Sequence, residues 1–157
     1  MFLGEFEHAL DAKQRLAIPA EFRARWNTDS NGELVVAMPG PNESVWLWQA
    51  PVFEREMTGL VENARLGPDA IGLESKVFSK CRVLPMDGAG RIRIPDSMLA
   101  DYMLKDRVIV AGVRNHLEVV NPEVWQRRNV TSRDVGQAYV ELVQKRAENV
   151  RVEARRE

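Results

Sequence analysis

The chain has 157 residues, 45% hydrophobic and 29% charged, with a formal net charge of −1 and one cysteine, the composition of an ordinary globular protein large enough for one domain or two halves sharing a core. No apolar run approaches the ~18 residues of a membrane span, and Met1-Phe2-Leu3-Gly4-Glu5 has neither the basic nor the apolar region of a signal peptide, so no membrane partner is expected. Cys81 alone cannot form an intrachain disulfide, which fits a reducing cytoplasm.

Residues 2–10 alternate Phe2, Gly4, Phe6, His8 and Leu10 with Glu5 and Glu7, the period of a half-buried strand. Asp11-Ala12-Lys13-Gln14-Arg15 interrupts it as a polar turn, and Leu16 and Ile18 resume the alternation in a short strand. Pro19 suits a first helical turn, where a missing N–H costs nothing. That helix is expected over 20–26, with Phe22 and Trp26 on one side and Asp29-Ser30-Asn31-Gly32 ending it. Residues 34–38 and 45–48 read as two strands around a Pro-Gly-Pro-Asn turn. Pro51 opens a helix with Phe53, Met57, Leu60, Val61 and Ala64 at helical spacing; Gly67-Pro68 breaks it and a weaker helix follows.

From residue 81 the first series returns: strand 81–86, turn 87–90, strand 91–94, Pro95, helix 96–104, strand 107–113, turn 114–116 and strand 117–120. Asp11, Arg15, Ile18 and Pro19 align with Asp87, Arg91, Ile94 and Pro95 at one constant offset. Further matches follow in order: Leu34-Val35-Val36-Ala37 with Val108-Ile109-Val110-Ala111, then Val45–Trp48 with Leu117–Val120, then Val52-Phe53 with Val124-Trp125. Each copy is ββαββ. About 45 residues in that form bury too little core alone, so two copies are expected to cover one another as an α+β, pseudo-two-fold β-barrel. The boundaries expected are 1–53 for the first half, 54–80 for a helical connector, 81–128 for the second half and 129–157 for a C-terminal helix. That last helix has Ser132 as its cap and Val135, Tyr139, Leu142, Val143 and Val150 on one face. It either packs on its own domain or meets a neighbouring subunit.

Charge is unevenly spread. Residues 11–25 hold four cations against two carboxylates, residues 80–95 four against one, and residues 41–74 two against six. Two basic motif segments flank an acidic one, an asymmetry that can present phosphate with an attractive face.

The doubled pattern, Leu10-Asp-Ala-Lys-Gln-Arg15-Leu-Ala-Ile-Pro19 after Met1-Phe-Leu-Gly4-Glu5 and Met86-Asp-Gly-Ala-Gly-Arg91-Ile-Arg-Ile-Pro95, resembles the MraZ family over roughly residues 1–128. The resemblance implies two SpoVT/AbrB-like swapped-hairpin halves. It further implies a nucleoid-associated transcriptional regulator, usually a repressor. Such proteins bind double-stranded DNA at short direct repeats upstream of their own gene, in the division and cell-wall gene cluster, as ring-shaped homo-oligomers. The family's Asp-x-x-x-Arg motifs fall on Asp11/Arg15 and Asp87/Arg91. Family members usually carry glycine before the motif arginine; the second copy keeps it as Gly90, the first has Gln14. Either the first turn is not left-handed there, or it is slightly strained.

Arg15 and Arg91 are the expected DNA contacts, since guanidinium offers planar paired donors to phosphate and guanine edges. Lys13 and Arg93 lie two residues away and join them as candidates. Asp11 and Asp87 read as turn-ordering residues: an acid–base dyad would not keep an arginine four residues from each carboxylate. No enzyme constellation is present. Arg23 and Arg25 read as solvated. His8 and His116, the latter in a hairpin turn, show no metal-ligand spacing. Trp46, Trp48 and Trp125 read as core or subunit-boundary residues. No cofactor and no small-molecule substrate is expected. The rival reading is an AbrB-like antitoxin, a protein-interaction module.

Overall fold

The computed structural model describes residues 1–26, 34–63, 70–128 and 131–154. Its strands and helices follow the doubled order. The first series is β1 Phe2–Ala9, β2 Arg15–Ala17, α1 Ala20–Arg23, β3 Leu34–Gly40 and β4 Ser44–Gln49. Helices α2 Ala50–Asn63 and α3 Ala70–Phe78 intervene. The second series is β5 Arg82–Pro85, β6 Arg91–Arg93, α4 Asp96–Asp101, β7 Arg107–Arg114 and β8 His116–Val120, followed by α5 Pro122–Arg128 and α6 Ser132–Ala154. Helix α5 follows β8 as α2 follows β4, the counterpart of the Val52-Phe53 and Val124-Trp125 match. Asp29–Gly32 and Gly67-Pro68, read as helix ends, lie outside the described residues.

The helix ends depart from the sequence reading for physical reasons. Pro19 and Pro95 cap α1 and α4 from outside the first turn, at ψ 138 and ψ 139. Helix α4 stops at Asp101 rather than 104. Met103 adopts φ 51, and Leu104 N–H donates to Leu99 O while Met103 N–H donates to Ala100 O. That pair of bonds is the Schellman closure, with buried Leu104 and Leu99 as its apolar contact. Methionine in place of the usual glycine hid this stop. The cap of α6 sits one residue earlier than Ser132: Thr131 N–H and Oγ1 both donate to Asp134 Oδ2 at 2.6 Å, a capping box.

All strand pairs are antiparallel. Six strands form one sheet in the order β1-β7-β8-β4-β3-β5, and β2 and β6 form a separate ribbon. The first strand of each series pairs with the hairpin of the other: β1 with β7 in register Phe2↔Arg114 to Ala9↔Arg107, and β5 with β3 in register Leu34↔Pro85 to Ala37↔Arg82. The two hairpins meet through β4 and β8, Ser44 opposite Val120. Every strand-pairing contact between the series is therefore reciprocal.

One face of the sheet supplies Val35, Ala37, Val45, Leu47, Val108, Val110, Leu117 and Val119 to a common core. The ribbon plugs it with Leu16, Ile18, Ile92 and Ile94, all at most 2% exposed, and α1 and α4 add Phe22, Met98 and Leu99. Period-2 alternation in β2 and β6 thus buries Leu16 and Ile92 while turning the flanking arginines outward. On the other face of β4 and β8, His116 stacks on Trp48 at 4.4 Å and lies tilted against Trp46 at 4.2 Å between ring centroids, and Trp46 Nε1 donates to Glu118 at 2.9 Å. His116 is therefore the buried first residue of β8 rather than a turn residue. Phe53 of α2 meets Trp48 edge-on, and Phe78 of α3 meets Phe53.

The chain forms two compact units, Met1–Trp125 and Gln126–Glu157. In the second, Val135, Tyr139, Leu142 and Val143 of α6 are exposed. Among the described residues no helix is long and apolar enough to cross a membrane.

Candidate nucleic-acid interface

Two three-residue loops carry the candidate residues, and their hydrogen bonds correspond one for one. In the first, Asp11 N–H donates to Arg15 O at 3.0 Å and Gln14 N–H to Asp11 O at 2.8 Å. In the second, Asp87 N–H donates to Arg91 O at 2.9 Å and Gly90 N–H to Asp87 O at 2.8 Å. Asp11 Oδ1 accepts the N–H groups of Lys13 and Arg15, both at 2.9 Å. Asp87 Oδ1 accepts those of Ala89 and Arg91, at 2.9 and 3.0 Å. The remaining oxygens accept Arg15 Nε at 2.8 Å and Arg91 Nε at 2.9 Å. Each carboxylate thus holds its loop's N–H groups and its arginine together. The backbone N–H of Arg15 beside Asp11, and that of Arg91 beside Asp87, are the leading causes that hold both carboxyls below the usual aspartate range.

Gln14 sits at φ 58 and Gly90 at φ 74. The first turn is left-handed without its glycine, so of the two alternatives the strained one holds.

The ribbon brings the loops side by side. Arg15 pairs with Arg93 and Ala17 with Arg91. Directly opposed residues share a face, so Arg15, Arg91 and Arg93 stand on the outward face while Leu16 and Ile92 point into the core. Arg15 Nη1 also reaches Asp87 Oδ2 at 3.6 Å, linking the two motifs. Lys13, Arg15 and Arg93, with Ala12 and Gln14, line an open basin of about 430 Å³. Arg91 does not line that basin but shares the ribbon face, and Arg93 pairs with Asp96 at 3.2 Å.

The amino-acid pattern missed one participant. Arg23 is not merely solvated: its Nη1 donates to Ala89 O at 2.9 Å, so α1 of the first series holds the second loop. A Cβ on Gly90 would overlap the Arg23 side chain, which gives that glycine a steric reason beyond its φ. No local signal could have joined residues 66 apart. Among the described residues no group of three His, Cys, Asp or Glu side chains is placed to hold a metal.

The family model described as "MraZ protein, putative antitoxin-like" matches residues 1–65 and 77–134, covering both loops. The chain belongs to the MraZ family. A relative from Roseiflexus sp. (strain RS-1), named transcriptional regulator MraZ, is 36% identical over 127 residues, 80% of this chain and 85% of the relative. One of the same name from Herpetosiphon aurantiacus is 33% identical over 127 residues, again 80% and 85% of the two chains. Another from Alkaliphilus oremlandii is 28% identical over 148 residues, 94% of this chain and 98% of the relative. That last match spans most of α6 as well as both series, so the family pattern runs through nearly the whole chain.

Proposed function

We propose that this chain is a sequence-specific, DNA-binding transcriptional regulator. The observation that carries the reading is the β2–β6 ribbon, which presents Arg15, Arg91 and Arg93 on one outward face beside Lys13. Each aspartate engages its arginine through Nε, and Arg15 Nη1 also lies 3.6 Å from Asp87, so the reading assigns Arg15 Nη2 and the terminal amino groups of Arg91 to phosphate or guanine edges. Asp11 and Asp87 order the turns and set the arginines' direction. The names of the relatives support regulation of transcription.

The finer reading follows the family resemblance. The targets are short direct repeats upstream of the chain's own gene in the division and cell-wall cluster, and the effect is repression. Residues 1–53 and 81–128 act as two SpoVT/AbrB-like halves of a pseudo-two-fold barrel, with 54–80 as connector and 129–157 as tail. Reciprocal strand pairing and the shared core support that architecture. A ring of subunits would set several such faces against repeated boxes, so a net charge of −1 per chain is no obstacle: modest contacts add through effective concentration. The cytoplasmic nucleoid is where such a protein acts.

The test is binding to the chain's upstream duplex against a scrambled duplex, across a salt series, for wild type and Arg15→Ala. Loss of one guanidinium contact is expected to weaken specific binding about 10- to 100-fold and to flatten the salt dependence. Undiminished affinity in Arg15→Ala removes Arg15 from the interface, and equal affinity for the scrambled duplex sinks the claim of sequence specificity. A small toxin-like protein co-purifying through residues 129–157 would favour the antitoxin reading instead.

A further inference from the structure

A second open cavity, about 280 Å³, lies at the other end of β1 from the loops. Strand β1 spans Phe2–Ala9, and at about 3.3 Å per residue it puts roughly 25 Å between this cavity and the Asp11 turn. Three elements bring cations to it: Arg25 after α1, Arg55 on α2, and Arg114 at the end of β7. Among the described residues no carboxylate lines it. Glu56 comes nearest in chemistry, as a 3.3 Å partner of Arg55, whose side chain is 69% exposed.

A further feature points the same way. Gln49 and Val52 bring the N-terminus of α2 to the cavity, and the first turn of that helix holds no acidic residue. Its positive end is therefore not offset, and first-turn N–H groups have no helical carbonyl to donate to. Gln49, which is 8% exposed, lines the same cavity just ahead of that helix.

We propose that this cavity binds a phosphate group. Guanidinium groups recognise tetrahedral oxyanions through paired, charge-assisted hydrogen bonds, and a helix N-terminus adds backbone donors. The volume is at the small end of ligand pockets: it holds a phosphate and a short stem, not a whole nucleotide. The source is a small phosphorylated molecule or a phosphate of the DNA backbone, and the inference stands whether or not the β2–β6 ribbon contacts DNA.

The experiment titrates inorganic phosphate, then pyrophosphate, into the full chain at fixed ionic strength, with chloride as control. Amide resonances and calorimetric heats are followed. Saturable binding is expected, with the largest shifts at residues 49, 52, 55 and 114. Arg55→Gln and Arg114→Gln are each expected to weaken it about tenfold, the effect of losing one charge-assisted bond. Arg55→Gln is the safer variant for folding, since its side chain is mostly exposed. Equal binding by wild type and both variants, or the same response to chloride, overturns the proposal.

A DNA arm separates the sources. Weaker phosphate binding with unchanged duplex affinity assigns a free ligand. A matching loss of duplex affinity and salt dependence in Arg55→Gln assigns the DNA backbone. If Arg55→Gln instead lowers the oligomeric state in sedimentation, a carboxylate of a second copy occupies the cavity and the phosphate site is refuted.

Discussion

Gln14 and Gly90 occupy the same position in two otherwise matching turns, at φ 58 and φ 74. A side chain in that region costs about 1 kcal/mol, so the first loop stores strain that the second does not. Gln14→Gly is expected to raise unfolding free energy by about 0.5–1 kcal/mol, read as a higher urea midpoint at unchanged slope. Gly90→Ala meets both an unfavourable φ and the Arg23 side chain, and is expected to lower it by about 1–3 kcal/mol. Equal and small effects at the two sites would contradict the strain assignment. The aspartates carry an acid-side signature. Their carboxyls titrate below the ordinary aspartate value of 3.8 because loop N–H groups stabilise the charged form. The stabilisation is present above that value and is lost as pH falls through the lowered folded pKa. Asp11→Asn and Asp87→Asn should each shrink the drop in unfolding midpoint between pH 4 and pH 2; an unchanged drop in both would show that the loops contribute nothing to acid sensitivity. At this scale Asp11, Arg15, Asp87 and Arg91 were legible in the sequence because a constant offset repeats them. Arg23 was not, because its acceptor, Ala89 O, is a backbone atom 66 residues away and leaves no pattern in side-chain chemistry.

Strands β4 and β8 are buried on both faces, and this makes His116 informative. Burial pushes its pKa down to about 4 from an ordinary 6.5, with Glu118 opposing and Arg114 assisting the shift. The folded protein therefore holds it neutral, while the unfolded chain takes up a proton as pH falls below 6.5. Stability is unaffected above that pH, declines between 6.5 and about 4, and the loss is complete below. The full effect is about 3 kcal/mol. His116→Phe, which preserves an aromatic ring between Trp46 and Trp48, is expected to flatten this window when urea midpoints are compared at pH 7 and pH 4. A wild-type slope retained by the variant would place the acid sensitivity elsewhere. The strand was legible from alternating apolar residues, but its start was not. Arg114-Asn115-His116 reads as turn chemistry, and only the pairing Val113↔His116 puts the histidine inside the ladder. Helix ends were hidden in the same way. Met103 at φ 51 closes α4 where a glycine would have announced the stop, and Thr131 with Asp134 caps α6 although Ser132 is the next cap former along the chain.

The reciprocal pairing of the two series makes folding a property of the whole of Met1–Trp125. Each series contributes a hairpin, β3–β4 or β7–β8, but completes its sheet with the other's first strand. The core residues Leu16, Ile18, Ile92 and Ile94 come from a ribbon whose two strands belong to different series. Sequence could show that two similar units exist, and that each is too small to bury a core alone. Partner choice lies beyond it, because β1 and β7 are matched by register across more than ninety residues and any alternating strand could in principle pair with any other. The fold therefore yields a test that separates exchange from simple adjacency. Residues 1–79 and 80–157, made as separate chains, each lack the partner strand that completes their sheet and half of the ribbon. Neither is expected to show a cooperative thermal transition by circular dichroism. An equimolar mixture should recover one, with tryptophan emission shifted to the blue as Trp26 and Trp48 return to buried sites. The midpoint of the mixture should rise with concentration, because chain cleavage turns an intramolecular contact into a bimolecular one. If either fragment alone unfolds cooperatively with the native tryptophan spectrum, its strands close on themselves and the exchanged arrangement is not what stabilises the fold.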